Sequence, residues 1–154
     1  MCSSDLIGAG TGYFAVRFAH MLPKGRVYGV DLEPDMVKYL NERAKKENLA
    51  NLSAVHAAPN DAHIPSPVDL IILVDVYHHI DKRADYFRKL RASLKPGGRI
   101  AIIDFRLDAP NGPAKSARIA PERVKTEMQN AGYALDGEQG FLPSQYFLIF
   151  KPAS

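Results

Sequence analysis

Residues 5–14 read DLIGAGTGYF, with glycine at Gly8, Gly10 and Gly12. Glycine loses more conformational freedom on ordering than any other residue. Three at alternate positions therefore mark a backbone that must turn sharply or come close to a ligand. An apolar pair, Leu6 and Ile7, precedes the trio and an amphipathic run follows it, which predicts a strand, a tight turn and a helix. Such a turn aims backbone N–H groups and the positive helix end at a bound group, with no Cβ atoms in the way. By itself the trio fits either a nucleotide-like cofactor or a purely structural turn.

A second feature separates these readings. The stretch VYGVD ends at Asp31, 23 residues beyond Gly8, where a carboxylate at the end of the next strand can accept both hydroxyls of a ribose. Read alone, Asp31 is a surface or capping acid, because Pro34 just after it suits a first helical turn. The glycine spacing then discriminates between cofactors. A dinucleotide fingerprint, G-x-G-x-x-G, requires glycine at position 13, where this chain carries Tyr13. That argues against NAD and FAD, and against a nicotinamide-dependent oxidoreductase.

Outward from the turn, short apolar segments alternate with stretches of helical period, the pattern of a parallel sheet built from crossover units. RVYGVD, NLSAVHA, VDLIILVD and GRIAIIDF read as strands, and the third, nearly unbroken in β-branched residues and leucine, belongs at the sheet centre. Val37, Leu40 and Ala44 share one helical face, as do Phe87, Leu90 and Leu94 in a segment that Asp81 is placed to cap. LKPGGR reads as a helix stop and a tight turn into the following strand. A loop rich in proline, glycine and asparagine follows, then a helix over 121–131 ending at Gly132, then a closing antiparallel hairpin. The expectation is one α/β domain over 1–154, doubly wound and Rossmann-like, with a mostly parallel sheet, a short first strand and an antiparallel edge.

With the first motif written GAGTG, the chain resembles the class I S-adenosylmethionine-dependent methyltransferases from about Leu6 to Pro152. DVYHHI, IDFR and FLPSQYFLIF are similar to a small, mostly uncharacterised group within that class. The resemblance implies S-adenosyl-L-methionine as cofactor, held by Gly8, Ala9, Gly10 and Gly12 at the turn. It implies Asp31 on the ribose, Leu32 beside the adenine, Asp61 and Ala62 at the adenine amino group, and Asp75 facing the methionine end. Tyr77, His78 and His79 follow the central strand at the carboxyl edge, where ligands of open α/β sheets sit, and form the candidate catalytic rim. A histidine there can take a proton from an acceptor hydroxyl, amine or thiol, or it can orient or cap its neighbours. Adjacent residues point different ways, so one of the pair is catalytic at most, and His78 is the choice. Arg106 and Arg118 flank the variable loop and either hold an anionic substrate or are solvated.

Two departures from the family pattern stand out. Members carry an acid two residues before the first glycine, at the methionine end of the cofactor; here Leu6 holds that place and Asp5 lies one position earlier. Members also begin well upstream, so a site more open than the family norm is expected. A binding domain without catalysis is the rival reading.

Composition bounds the partners. The net charge is +3 with basic and acidic residues interspersed, no basic stripe marks a nucleic-acid surface, and Cys2 is the single cysteine. No apolar run reaches the ~18 residues needed to cross a bilayer. A small-molecule acceptor, no bound metal, no nucleic acid, no membrane and a cytoplasmic location are the expectations. A homodimer is compatible with the sequence.

Overall fold

The computed structural model describes residues 2–154. Seven strands form one sheet: β1 (Ser3–Ile7), β2 (Arg26–Asp31), β3 (Leu52–His56), β4 (Val68–Val74), β5 (Leu94–Phe105), β6 (Tyr133–Gln139) and β7 (Gln145–Pro152). Their order is β3-β2-β1-β4-β5-β7-β6. The first five run parallel, while β7 inserts antiparallel between β5 and β6. This is the doubly wound architecture expected, with its topological switch between β1 and β4, the place where such sheets open a crevice for ligands.

Helices α1 (Tyr13–Met21) and α2 (Pro34–Lys46) bury Ala15, Val16, Ala19, Leu40 and Ala44 against one face of the sheet. On the other face, α3 (Arg83–Leu90) and α4 (Pro121–Asn130) bury Phe87, Leu90, Val124 and Met128 against Ile71, Leu73, Ile100 and Ile102. Strands β1 and β4 are covered on both sides, and the nearly unbroken apolar run of β4 follows from that. Although β1 has only five residues, it pairs with β2 and β4, and Asp69 of β4 accepts from the backbone N–H of Ser3 at 2.8 Å.

Two local expectations are corrected. Asp81 caps nothing: the cap position of α3 is Lys82, in the left-handed region at φ 46°, and no side-chain bond closes that helix end. LKPGGR does not precede its strand but lies inside it. Leu94 already pairs with Val68, and the register then jumps to Leu70 opposite Arg99. Pro96 donates no hydrogen bond and Gly97 sits at φ 80°, so the extra residues bulge out while the ladder resumes beyond them.

Candidate cofactor crevice and its neighbouring dyad

The turn is built as its glycines require. Gly8 and Ala9 both donate their N–H to the carbonyl of Val30, folding the end of β1 onto β2. Gly8, Gly10 and Gly12 all have positive φ, and Gly12 forms the cap of α1. A Cβ on Gly8 would lie 2.4 Å from the Val76 side chain and one on Gly12 2.4 Å from Leu40, so these two permit close packing. A Cβ on Gly10 would meet nothing within 4 Å. Gly10 thus leaves clear the space that a ligand's atoms would take up.

Asp31 faces this space. Its Oδ2 accepts from the N–H of Gly10 at 2.8 Å and its Oδ1 from the N–H of Glu33 at 3.0 Å. A carboxylate offers about four lone-pair sites, so each oxygen keeps one for a further donor. Two vicinal hydroxyls match that remainder. Beside it lies a cavity of about 510 Å³ lined by Gly8, Asp31, Leu32, Val76, His79 and Tyr86, among others. The His56 ring pins the carbonyl of Leu32 at 3.0 Å, holding the chain that carries Leu32 at the wall.

Asp61 and Ala62 stand back from this wall. Asp61 accepts from the N–H of His63 at 2.9 Å and bridges to Ala58, while Ala62 is buried. The residues exposed to the cavity in this turn are Ala57, Ala58 and Pro59. The sequence reading missed these, as it missed Val76, Ile80 and Tyr86, because nothing in an apolar residue type announces that it faces a ligand.

The acid of the first strand does not serve the crevice. Asp5 projects toward the α3 face, fully buried, and neither carboxylate oxygen has a hydrogen-bond partner. Burial raises its pKa well above the carboxylate range. Leu6 points to the opposite face, into the α1 and α2 core. One step along a strand reverses the side chain, so Asp5 cannot take the orientation of the residue at position 6, and it ends sealed in the core instead of lining the cavity.

Beyond β4 the chain turns at Asp75, which has φ 58°. Its N–H donates to the carbonyl of Ile103, and its Oδ1 accepts from Gln145 Nε2 at 2.5 Å. Burial raises its pKa, with the Gln145 bond acting against that shift. A single helical turn, Tyr77–His79, follows and separates three residues that the sequence grouped together. Tyr77 is not at the rim: it is fully buried, stacked on Phe87, with its hydroxyl donating to Glu127. His79 is exposed and lines the cavity.

His78 is buried but not sealed. Its Nδ1 lies 2.8 Å from Oδ2 and 3.0 Å from Oδ1 of Asp104, and its own N–H donates to Oδ2 at 3.2 Å. Both side chains are 4% exposed. A carboxylate only accepts, so Nδ1 carries the proton and, in the neutral ring, Nε2 keeps its lone pair. Nε2 makes no hydrogen bond among the described residues, yet it is not one of the sealed unpartnered atoms, so it reaches solvent. The His79 ring lies against the His78 ring, centroids 4.0 Å apart and the planes tilted by 41°. Asp104 was missed by the sequence reading; its signal was a lone acid inside the apolar run IAIIDF.

Arg118 is committed to structure. Its guanidinium donates to five backbone carbonyls, those of Arg106, Leu107, Ala109, Asn111 and Pro113, and so organises the loop after β5. Arg106 reaches the carbonyl of Pro143 at 3.4 Å.

Comparison with known proteins agrees with this geometry. An erythromycin 3''-O-methyltransferase of Saccharopolyspora erythraea is 30% identical over 124 residues, covering 76% of this chain and 40% of that protein. A demethylmenaquinone methyltransferase of Listeria welshimeri is 32% identical over 108 residues, covering 68% and 44% respectively. The chain thus spans less than half the length of these two relatives. A SAM-dependent methyltransferase from Aquifex aeolicus shares the fold, with a TM-score of 0.89 at 23% identity over 97% of this chain and 81% of that one. The family described as "Methyltransferase domain" matches residues 6–100, the segment that holds the glycine turn, Asp31 and the dyad's histidine. The chain belongs to the methyltransferase domain family.

Proposed function

We propose that this domain binds S-adenosylmethionine across the carboxyl ends of β1, β2 and β4 and transfers its methyl group to a small-molecule acceptor. The observation that carries the reading is the Asp31 carboxylate, held by Gly10 and Glu33 with one acceptor site left on each oxygen, beside an open glycine and a cavity. Asp31 holds the ribose diol, and Leu32, Ala57, Ala58 and Val76 enclose the adenine. Asp75, fixed by Gln145, faces the methionine end. When bound, the cofactor supplies an electrophilic methyl group on a sulfonium.

The remaining task is alignment, which can lower a barrier by roughly 7 kcal/mol. His78 acts as base through Nε2, and Asp104 is its positioning residue, fixing the tautomer and steadying the imidazolium as it forms. The printed names of the relatives, an O-methyltransferase of erythromycin and a methyltransferase of demethylmenaquinone, support a small-molecule acceptor.

Calorimetric titration with S-adenosylmethionine and with S-adenosylhomocysteine tests the reading. Saturable binding of both is expected; no binding of either refutes it. A second reading, cofactor binding without turnover, is favoured by Leu6, which leaves the methionine end without its acid. Product formation in a methyl-transfer assay on the same preparation decides between them. Cytoplasmic location belongs to the proposal; the structure's own statement is that no helix of the described residues is long and apolar enough to cross a membrane.

A further inference from the structure

Resting on the cofactor reading above, we infer that Tyr86 of α3 discriminates the base of the cofactor: its hydroxyl accepts a hydrogen bond from the exocyclic amino group of adenine and so sets adenine apart from a base that carries an oxo group there. The assignment moves this role away from the turn after β3, where the sequence placed it at Asp61 and Ala62. The first argument is a comparison of tyrosines. Four are buried among the described residues: Tyr77, Tyr86, Tyr133 and Tyr146. A buried phenol ordinarily finds a partner for its hydroxyl. Tyr77 donates to Glu127, Tyr133 donates to the carbonyl of Phe87 at 2.6 Å, and the hydroxyl of Tyr146 is sealed without a partner. Tyr86 fits neither pattern. It is 7% exposed and lines the cavity beside Asp31, yet its hydroxyl makes no hydrogen bond among the described residues and is not one of the sealed atoms. An accessible, unpartnered hydroxyl on a ring otherwise buried at the cavity wall is open to a ligand.

The other polar groups around the cavity leave this part to Tyr86. Asp31 is set for the ribose, and Glu33, His79 and Asp81 are exposed, so Tyr86 alone among the polar lining side chains is buried. Asp61 is turned to its own loop. Its Oδ1 accepts from the N–H of His63, its backbone is bonded in both directions to Ala58, and it does not line the cavity. The wall at that turn is Ala57, Ala58 and Pro59, which carry no polar side-chain atom.

The charges behind the wall decide which way the hydroxyl points. Burial raises the pKa of Tyr86, and the carboxyl groups of Asp5 and Asp61 add to the shift, so the phenol keeps its proton. In the field of the Asp61 carboxylate the O–H dipole turns its hydrogen toward that acid and leaves its lone pairs to the cavity. Lone pairs there call for a donor. The amino group of adenine is one, whereas hypoxanthine carries a carbonyl oxygen at the same place, and two acceptors brought together repel. A site arranged to hydrogen-bond one group rejects the analogue that leaves its buried polar atom unpaired.

Calorimetric titration with S-adenosylhomocysteine and with S-inosylhomocysteine, its deaminated analogue, tests the inference in the parent, in Y86F and in D61N. The parent is expected to bind the adenosine compound at least ~10-fold more tightly, a difference of about 1.4 kcal/mol. Y86F keeps the ring and loses the hydroxyl. It is expected to bind S-adenosylhomocysteine roughly 10-fold more weakly while S-inosylhomocysteine stays within about twofold of the parent, so that the preference collapses. Equal affinity of the parent for the two compounds, an unchanged preference in Y86F, or a preference lost in D61N and kept in Y86F overturns the inference. Loss of both ligands in Y86F gives the ring a structural part and overturns it as well. The two readings fail separately: a parent that binds neither compound removes the cofactor reading itself, whereas binding that ignores Tyr86 removes only its role at the base.

Discussion

Asp31 and Asp5 sit on neighbouring strands of one sheet, and their surroundings differ in every respect that matters to a carboxylate. Asp31 ends β2 at the crevice, takes two backbone N–H donors and keeps acceptor sites facing a cavity. Asp5 lies in the middle of β1 at the sheet centre, fully buried, with both oxygens unpartnered. The strand's carboxyl end supplies free N–H groups and open space; its middle supplies neither, because those backbone groups are already paired within the ladder. Position along the strand, not residue type, makes one acid a binding group and the other a burden on stability.

The sharpest test of that contrast is D31A. Each charge-assisted hydrogen bond contributes about 1.5–3 kcal/mol, so the loss of two predicts cofactor binding weaker by roughly 100-fold or more, read by calorimetry. Affinity unchanged in that titration would remove Asp31 from the ribose. D5V reverses the direction: relieving a buried unpaired carboxyl should stabilise the fold by about 1–3 kcal/mol, raising the melting temperature by ~2–4 °C per kcal/mol. A lower melting temperature would mean that Asp5 has a partner in solution.

The pH dependence of stability gives a third test. The folded-state pKa of Asp5 is raised above its unfolded value, so its carboxyl is best tolerated below the ordinary value of ~3.9, and stability is lost as the pH climbs from there through the raised value. The slope from this one group can reach about 1.4 kcal/mol per pH unit. D5N should flatten the profile in denaturant titrations across that window, and an identical slope in both proteins would contradict the burial of the charge. The smallest effect is expected at Tyr146, whose hydroxyl is buried without a partner next to Asp104. Y146F should change stability by no more than about 1 kcal/mol and in the favourable direction. Clear destabilisation would reveal a hydrogen bond to this hydroxyl.

Much of this was legible in the chain itself. Alternation of apolar runs with helical period identified the strands β2 to β5, the crossover helices and the closing hairpin, because a strand buried on both faces leaves a continuous apolar run while a helix buried on one side leaves a helical period. The glycine trio followed by Asp31 was legible for a related reason: left-handed backbone restricts residue choice locally, whatever the rest of the protein does. Asp81 misled, since a residue type that caps helices elsewhere here lies one position too early, and Lys82 takes the cap position. The proline and glycines of LKPGGR misled in the same manner, a turn signal that the ladder absorbed as a bulge.

By itself, then, the sequence determined the sheet class, the glycine turn and the acid at its partner strand, because each rests on local backbone preference or on hydrophobic period. Only the tertiary structure decided that Tyr77 belongs to the core while His78 meets Asp104, 26 residues further along the chain. It alone sealed Asp5 in the core without a partner and spent Arg118 on loop carbonyls. These are contacts between segments distant in sequence, set by which strand ends are brought side by side in the sheet, and no short-range pattern encodes that.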